Sequence, residues 1–96
     1  MSVRFEWDED KAASNFKKHG VAFDEASTVF ADPLAAIFDD EEHSIDETRE
    51  LMIGHSAASR LLIVSFTERG KDIVRIISAR KATKRERNDY EKGIQH

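Results

Sequence analysis

The chain has 96 residues, 40% of them hydrophobic and 35% charged, a balance that fits one compact domain with a modest core and excludes a disordered chain or a second domain. The absence of cysteine excludes disulfides, cysteine zinc knuckles and thiol nucleophiles, and makes the cytosol the expected location. The net charge of -4 conceals a division: residues 1–48 hold four basic and thirteen acidic groups, net -9, whereas residues 49–96 hold eleven basic and six acidic, net +5, which makes the second half a candidate polyanion site unless both halves are simply solvated faces.

The N-terminus, Met1-Ser2-Val3-Arg4-Phe5-Glu6-Trp7-Asp8, has no basic leader and no apolar stretch long enough to span a bilayer, so neither secretion nor membrane anchoring is expected. Residues 3–7 alternate in the manner of a short edge strand. Asp8 can cap a helix running to about Lys18, with Glu9 and Asp10 at its positive end, Lys17, Lys18 and His19 at its negative end, and Gly20 as the left-handed residue that stops it. Asp24 is expected to cap a second short helix from Glu25 to about Ala31, ended by Asp32-Pro33. Leu34 to Phe38 is a short apolar run, and residues 39–46, with His43, form an acidic loop that cannot enter a core.

Three strands are expected next, over residues 48–55, 60–67 and 73–80, the middle one, around Leu61-Leu62-Ile63-Val64-Ser65-Phe66, being the most buried. Their short polar connectors allow an antiparallel meander but no crossover. Thr83-Lys84-Arg85-Glu86 has the spacing of a capping box for a terminal helix reaching about Lys92, before Gly93. That helix offers little except Tyr90 and Ile94 for burial, so it is expected to lean on something outside the domain. The order of elements is that of an α+β domain.

Cleaving RNA without a metal requires a group that draws the proton from a ribose 2′-hydroxyl, a group that protonates the leaving oxygen, and cations that stabilise charge on the phosphate. Residues 75–87 deliver Arg75, Arg80, Lys81, Lys84 and Arg85 from a strand end and the first turn of a helix, where RNA could dock; Arg75 and Arg80 could instead pair with carboxylates of the acidic half. Arg80 has the strongest claim, since it lies where the strand gives way to the helix. Arg49 and Glu50 are neighbours at a strand start and point to opposite faces, so at most one looks into a given site, Glu50 as a proton acceptor. His19 either caps its helix or takes part in catalysis; His43 and His55 have no evident partner. The acidic clusters lack the ligand pattern of a calcium loop or zinc helix, and no glycine-rich phosphate loop or serine triad is present, so neither metal nor cofactor is expected.

Phe5-Glu6-Trp7-Asp8, then Asn15-Phe16-Lys17-Lys18-His19-Gly20-Val21, Phe23-Asp24-Glu25-Ala26, Val29-Phe30, Asp32-Pro33, and finally Ile76-Ile77-Ser78-Ala79-Arg80-Lys81-Ala82-Thr83 with Glu86-Arg87 resemble the BrnT toxin family over nearly the whole chain. The resemblance implies one RelE-like domain over residues 1–96, an antiparallel sheet with two N-terminal helices and a C-terminal helix. It also implies metal-independent RNA cleavage that arrests translation, and neutralisation by a BrnA-like ribbon-helix-helix antitoxin. The complex would repress its own operon, touching operator DNA only through the antitoxin, and a dimeric antitoxin would by symmetry gather two toxins into a heterotetramer. Residue by residue, the likeness marks Lys18-His19-Gly20, Arg49-Glu50 and Ser78-Ala79-Arg80 with the helix that follows. The catalytic candidates are Arg80, Glu50, Arg75 and His19; the RNA-binding candidates are Arg49, Lys81, Lys84, Arg85 and Tyr90, although for Tyr90 anchoring its helix is the favoured role over stacking on a base or donating a proton. The competing reading is a non-enzymatic binding module within a repressor complex.

Overall fold

In a computed structural model, which describes residues 3–40 and 48–94, the chain runs through β1 (Arg4–Glu6), α1 (Glu9–His19), α2 (Phe23–Thr28) with a 3-10 turn (Val29–Ala31), β2 (Ala36–Asp39), β3 (Glu50–His55), β4 (Leu61–Gly70), β5 (Ile73–Lys81) and α3 (Lys84–Ile94). Most of the expected acidic loop, with His43, lies outside the described residues, as do His96 and the side chain of Ile94.

Local chemistry sets most of these boundaries. The Asp8 carboxylate accepts the amides of Asp10 and Lys11 at 2.8 and 3.2 Å and so starts α1. Gly20, at φ 70, ends it by donating its amide to the Phe16 carbonyl at 2.8 Å. The start of α2 differs from expectation: Asp24 does not cap it, and Ala22 stands in the cap position without a side-chain bond. Burial of Phe23 and Ala26 under the sheet decides where this helix begins. Ser27 and Thr28 donate their hydroxyls back to the carbonyls of Asp24 and Glu25, which favours its early tightening into a 3-10 turn.

The strand order is β1-β5-β4-β3-β2. The expected antiparallel meander of β3, β4 and β5 is present, and two edges extend it. β1 joins β5 in parallel, with Glu6 opposite Arg75, so the sheet is mixed. The apolar run after Pro33 supplies β2, an exposed edge strand antiparallel to β3. Central β4 is buried along residues 61–67, which explains its unbroken apolar sequence.

One face of the sheet packs under α1 and α2, where Val21, Phe23, Ala26 and Val29 meet Met52, Leu62, Val64, Phe66, Val74, Ile76 and Ala79. Each large side chain there contributes about 1.5–3 kcal/mol. Phe30 joins Phe5 and Phe66 edge-to-face, both at 5.0 Å between centroids. The opposite face buries Ile53, Leu61 and Ile63 against Tyr90 of α3. The terminal helix therefore finds its anchor within the chain, contrary to expectation: Tyr90 is only 8% exposed, and its hydroxyl donates to the Leu34 carbonyl at 3.1 Å. The capping box forms as expected, with the Thr83 amide on Glu86 at 2.8 Å and the Glu86 amide on the Thr83 hydroxyl at 3.1 Å, and the helix continues through Gly93 to Ile94.

Candidate active site

Strand β5 carries a bulge. Its register against β4 slips after Ser65: Ser65 faces Ser78 and Phe66 faces Ile76, leaving Ile77 as the extra residue. Bulges re-aim neighbouring side chains, and here Ile77, Ser78 and Arg80 all line a groove of about 350 Å³. Leu51, Ile63 and Ile77 supply its apolar lining, Ser65 and Ser78 its hydroxyls, and Asp40 a carboxylate. Its nitrogenous groups come from three distant parts of the chain: His19 from the last turn of α1, Arg49 from just before β3, and Arg80 from near the end of β5.

A buried amide joins two of these segments. Asn15 of α1 donates from Nδ2 to the carbonyls of Val21 at 3.0 Å and Ala79 at 2.9 Å, while its Oδ1 accepts the Ala79 amide at 3.1 Å. Nothing in the local pattern singles Asn15 out beyond its being a polar residue in a helix of low apolar content.

Arg80 donates from Nη1 to Glu86 Oε1 at 2.7 Å and from Nη2 to Glu86 Oε2 at 2.8 Å. This guanidinium holds the Glu86 carboxyl down to about 2, with the Thr83 amide assisting, and in return Glu86 raises the pKa of Arg80. The pairing with the acidic half considered for Arg80 is not what forms: its partner is Glu86 of the basic half, in the first turn of α3, and Arg80 still lines the groove.

The other candidates are dispersed. Arg75 pairs with Glu6 at 2.9 Å across the β1–β5 junction, outside the groove lining. Lys81, Lys84 and Arg85 are exposed and do not line it either. The expected cradle at the end of β5 and the start of α3 therefore contributes Arg80 alone to this groove. Arg49 and Glu50 do diverge: Arg49 enters the groove, and Glu50 lies in a separate depression with Thr48, Thr67, Glu68 and Arg69. Partial desolvation, then Glu68 and Asp39, push the Glu50 carboxyl up.

Tyr90 belongs to a second, more apolar groove of about 440 Å³, lined by Leu34, Phe38, Ile53 and Ile63 together with Glu86 and Asp89 of α3. Burial, then Asp32, raise its hydroxyl pKa. His55, for which the sequence offers no partner, meets Tyr90 edge-to-face at 5.8 Å, and its amide donates to Asp32 Oδ2 at 2.8 Å. Away from the grooves, Arg60 clasps Glu25 through Nε at 2.9 Å and through Nη2, and the same Nη2 reaches the Gly20 carbonyl at 3.1 Å. This fastens the α1–α2 turn to the β3–β4 turn. Among the described residues no cluster of three or more His, Cys, Asp or Glu side chains could hold a metal ion, and no helix is long and apolar enough to cross a membrane.

Comparison with known proteins gives two findings. The family model described as the ribonuclease toxin, BrnT, of type II toxin-antitoxin systems matches residues 7–86, a span that includes Asn15, His19, Arg49 and Arg80 and closes on Glu86. The crystal structure of the Brucella abortus ribonuclease toxin, BrnT, matches with a TM-score of 0.67 and 25% identity over 86% of this chain and 100% of that chain. No curated protein matches the chain.

Proposed function

This chain belongs to the BrnT family of ribonuclease toxins of type II toxin-antitoxin systems, and from that premise we propose that it cuts RNA without a metal in the groove shared by His19, Arg49 and Arg80. The observation that carries the reading is the convergence of an imidazole and two guanidinium groups, from three separate segments, on one groove with an apolar lining. Arg49 and Arg80 supply charge for the nonbridging oxygens of a phosphodiester. His19 takes the proton from the 2′-hydroxyl as the 2′-oxygen attacks phosphorus, and returns a proton to the departing 5′-oxygen. The products are a 2′,3′-cyclic phosphate and a free 5′-hydroxyl. Glu50 and Arg75 lie outside the groove and take no part in this scheme.

A toxin of this family has a cognate antitoxin. The finer reading is a BrnA-like ribbon-helix-helix dimer that gathers two toxins into a heterotetramer, reaches operator DNA for both, and blocks cytoplasmic translation arrest until it is lost. Support for a protein partner comes from the apolar groove beside α3, where Leu34 is 60% exposed and Phe38 46%, a concentration of apolar surface suited to coverage.

The test is cleavage of single-stranded RNA by the purified chain in the presence of a strong chelator. Cleavage by the wild type and its loss in Arg80→Ala support the scheme. Dependence on added metal, or full activity in a folded Arg80→Ala protein, overturns it; the mass of the complex co-expressed with the neighbouring reading frame tests the stoichiometry.

A further inference from the structure

β1 covers the outer edge of β5 only from Ile73 to Arg75. Further along that edge, Ala79 turns its amide and its carbonyl toward α1, and Asn15 engages both. The side chain thus behaves as a single residue of a strand that is not there. Its remaining amide hydrogen goes to the Val21 carbonyl, just beyond the turn that ends α1. A carboxamide suits this position because it offers two donors and an acceptor on one short stem. A leucine would orphan three buried backbone groups, and a carboxylate would face two carbonyls.

The consequence concerns the groove. Ala79 is flanked by Ser78 and Arg80, both of which line it, and His19 follows Asn15 by four residues, one turn along α1. We propose that Asn15 is a positioning residue for RNA cleavage: its amide holds the strand that carries Arg80 in fixed relation to the helix end that carries His19. This rests on the reading of the groove as the cleavage site. Asn15 touches no substrate; it sets the distance between two groups that do, and small misplacements of such groups are costly in rate.

The experiment compares the full-length wild type with Asn15→Ala and Asn15→Asp on a single-stranded RNA and on the same RNA carrying a 2′-deoxy sugar at the cleaved position. In Asn15→Ala, kcat is expected to fall on the order of 10²-fold with KM near the wild-type value. In Asn15→Asp, activity relative to wild type should recover as the pH is lowered, because a protonated carboxyl can again donate to a carbonyl. The uncleavable RNA supplies a readout free of turnover. At saturation with it, the NMR signals of the His19 and Arg80 side chains should both shift in the wild type; in the Asn15 variants at least one of the two shifts should fall away. Wild-type kcat in a folded variant, or both shifts kept at wild-type size in the variants, overturns the proposal. Should Asn15→Ala fail to fold, Asn15→Asp carries both readouts. Should the wild type bind the RNA at these residues without cutting it, the nuclease reading fails, and the shifts at saturation alone decide the role of Asn15.

Discussion

Arg80 and Glu86 meet fork to fork, Nη1 to Oε1 at 2.7 Å and Nη2 to Oε2 at 2.8 Å, so that the end of β5 is tied to the first turn of α3. The Thr83 amide donates to the same Oε1 at 2.8 Å, which makes one carboxylate both the helix cap and the seat of the arginine. A guanidinium held in this way is oriented before substrate arrives. Lysine keeps the charge but cannot reproduce the planar pair of bonds. Arg80→Lys is therefore expected to lower single-turnover RNA cleavage on the order of 10²–10³-fold while the far-ultraviolet circular dichroism is unchanged. A lysine variant with near wild-type rate would remove the planar fork from the mechanism.

The same pair makes stability depend on pH. Arg80 holds the Glu86 carboxyl at about 2 in the folded chain, against an ordinary value of 4.5, and Arg60 likewise lowers Glu25. A folded-state pKa below the unfolded one contributes stability that is complete above the unfolded value and is lost as the pH falls toward the folded one. The midpoint of urea unfolding should accordingly decline between about pH 4.5 and 2. In Glu86→Gln part of that decline should vanish. Because Arg80 and Glu86 are both partly solvated, the loss at neutral pH is about 1 kcal/mol. Identical acid slopes in the two proteins would show that the pair contributes nothing to this dependence.

What sequence revealed and what it concealed divide along one physical line. Boundaries set by neighbours in the chain were legible: the Asp8 cap, the Gly20 stop, the Thr83–Glu86 box and the continuous apolar run of β4 all rest on contacts within a few residues. The start of α2 was misread because the burial of Phe23, a tertiary matter, outweighs the capping preference of Asp24. β2 passed as an apolar run because an edge strand exposed along its length carries no alternation. For the site, the BrnT likeness marks Lys18-His19-Gly20, Arg49-Glu50 and Ser78-Ala79-Arg80, of which His19, Arg49 and Arg80 line one groove and Glu50 another depression, whereas the expected gathering of Arg75, Lys81, Lys84 and Arg85 with Arg80 assumed that nearness in sequence is nearness in space. Strand alternation, the bulge at Ile77 and the cross-strand tie to Glu6 separate them. Asn15 with Ala79, and Arg60 with Glu25, are long-range partners that no local pattern announces.

Two glycines should respond in opposite directions. A Cβ on Gly54 would stand 2.8 Å from Ala35 Cβ, 3.0 Å from Val29 Cγ1 and 3.1 Å from Asp32 Oδ2, so β3 can pass this close to the chain beneath it only without a side chain. Gly54→Ala is expected to cost about 1–3 kcal/mol, read as a lower urea midpoint. Gly93, within α3, has nothing within 4 Å of the same position, and Gly93→Ala should gain up to about 1 kcal/mol from helix propensity. A neutral Gly54→Ala would mean that the sheet and the 3-10 turn can move apart without penalty.

Three titratable side chains that sequence alone left as candidates or without a partner can be separated by the same kind of substitution. His19 lines the groove with Arg49 and Arg80, Glu50 lies in its own depression beside Glu68, and His55 packs against Tyr90. A group that moves a proton in the transition state is worth about 10²–10⁴-fold in rate, whereas a group outside the groove has no route to the reacting atoms. His19→Gln should lose cleavage by that margin with little change in urea midpoint, since the helix end that it occupies also has Lys17 and Lys18 to meet the dipole. Glu50→Gln and His55→Gln should cleave at wild-type rates. The reverse pattern, with Glu50→Gln inactive and His19→Gln intact, would move proton transfer out of this groove and into the depression on β3.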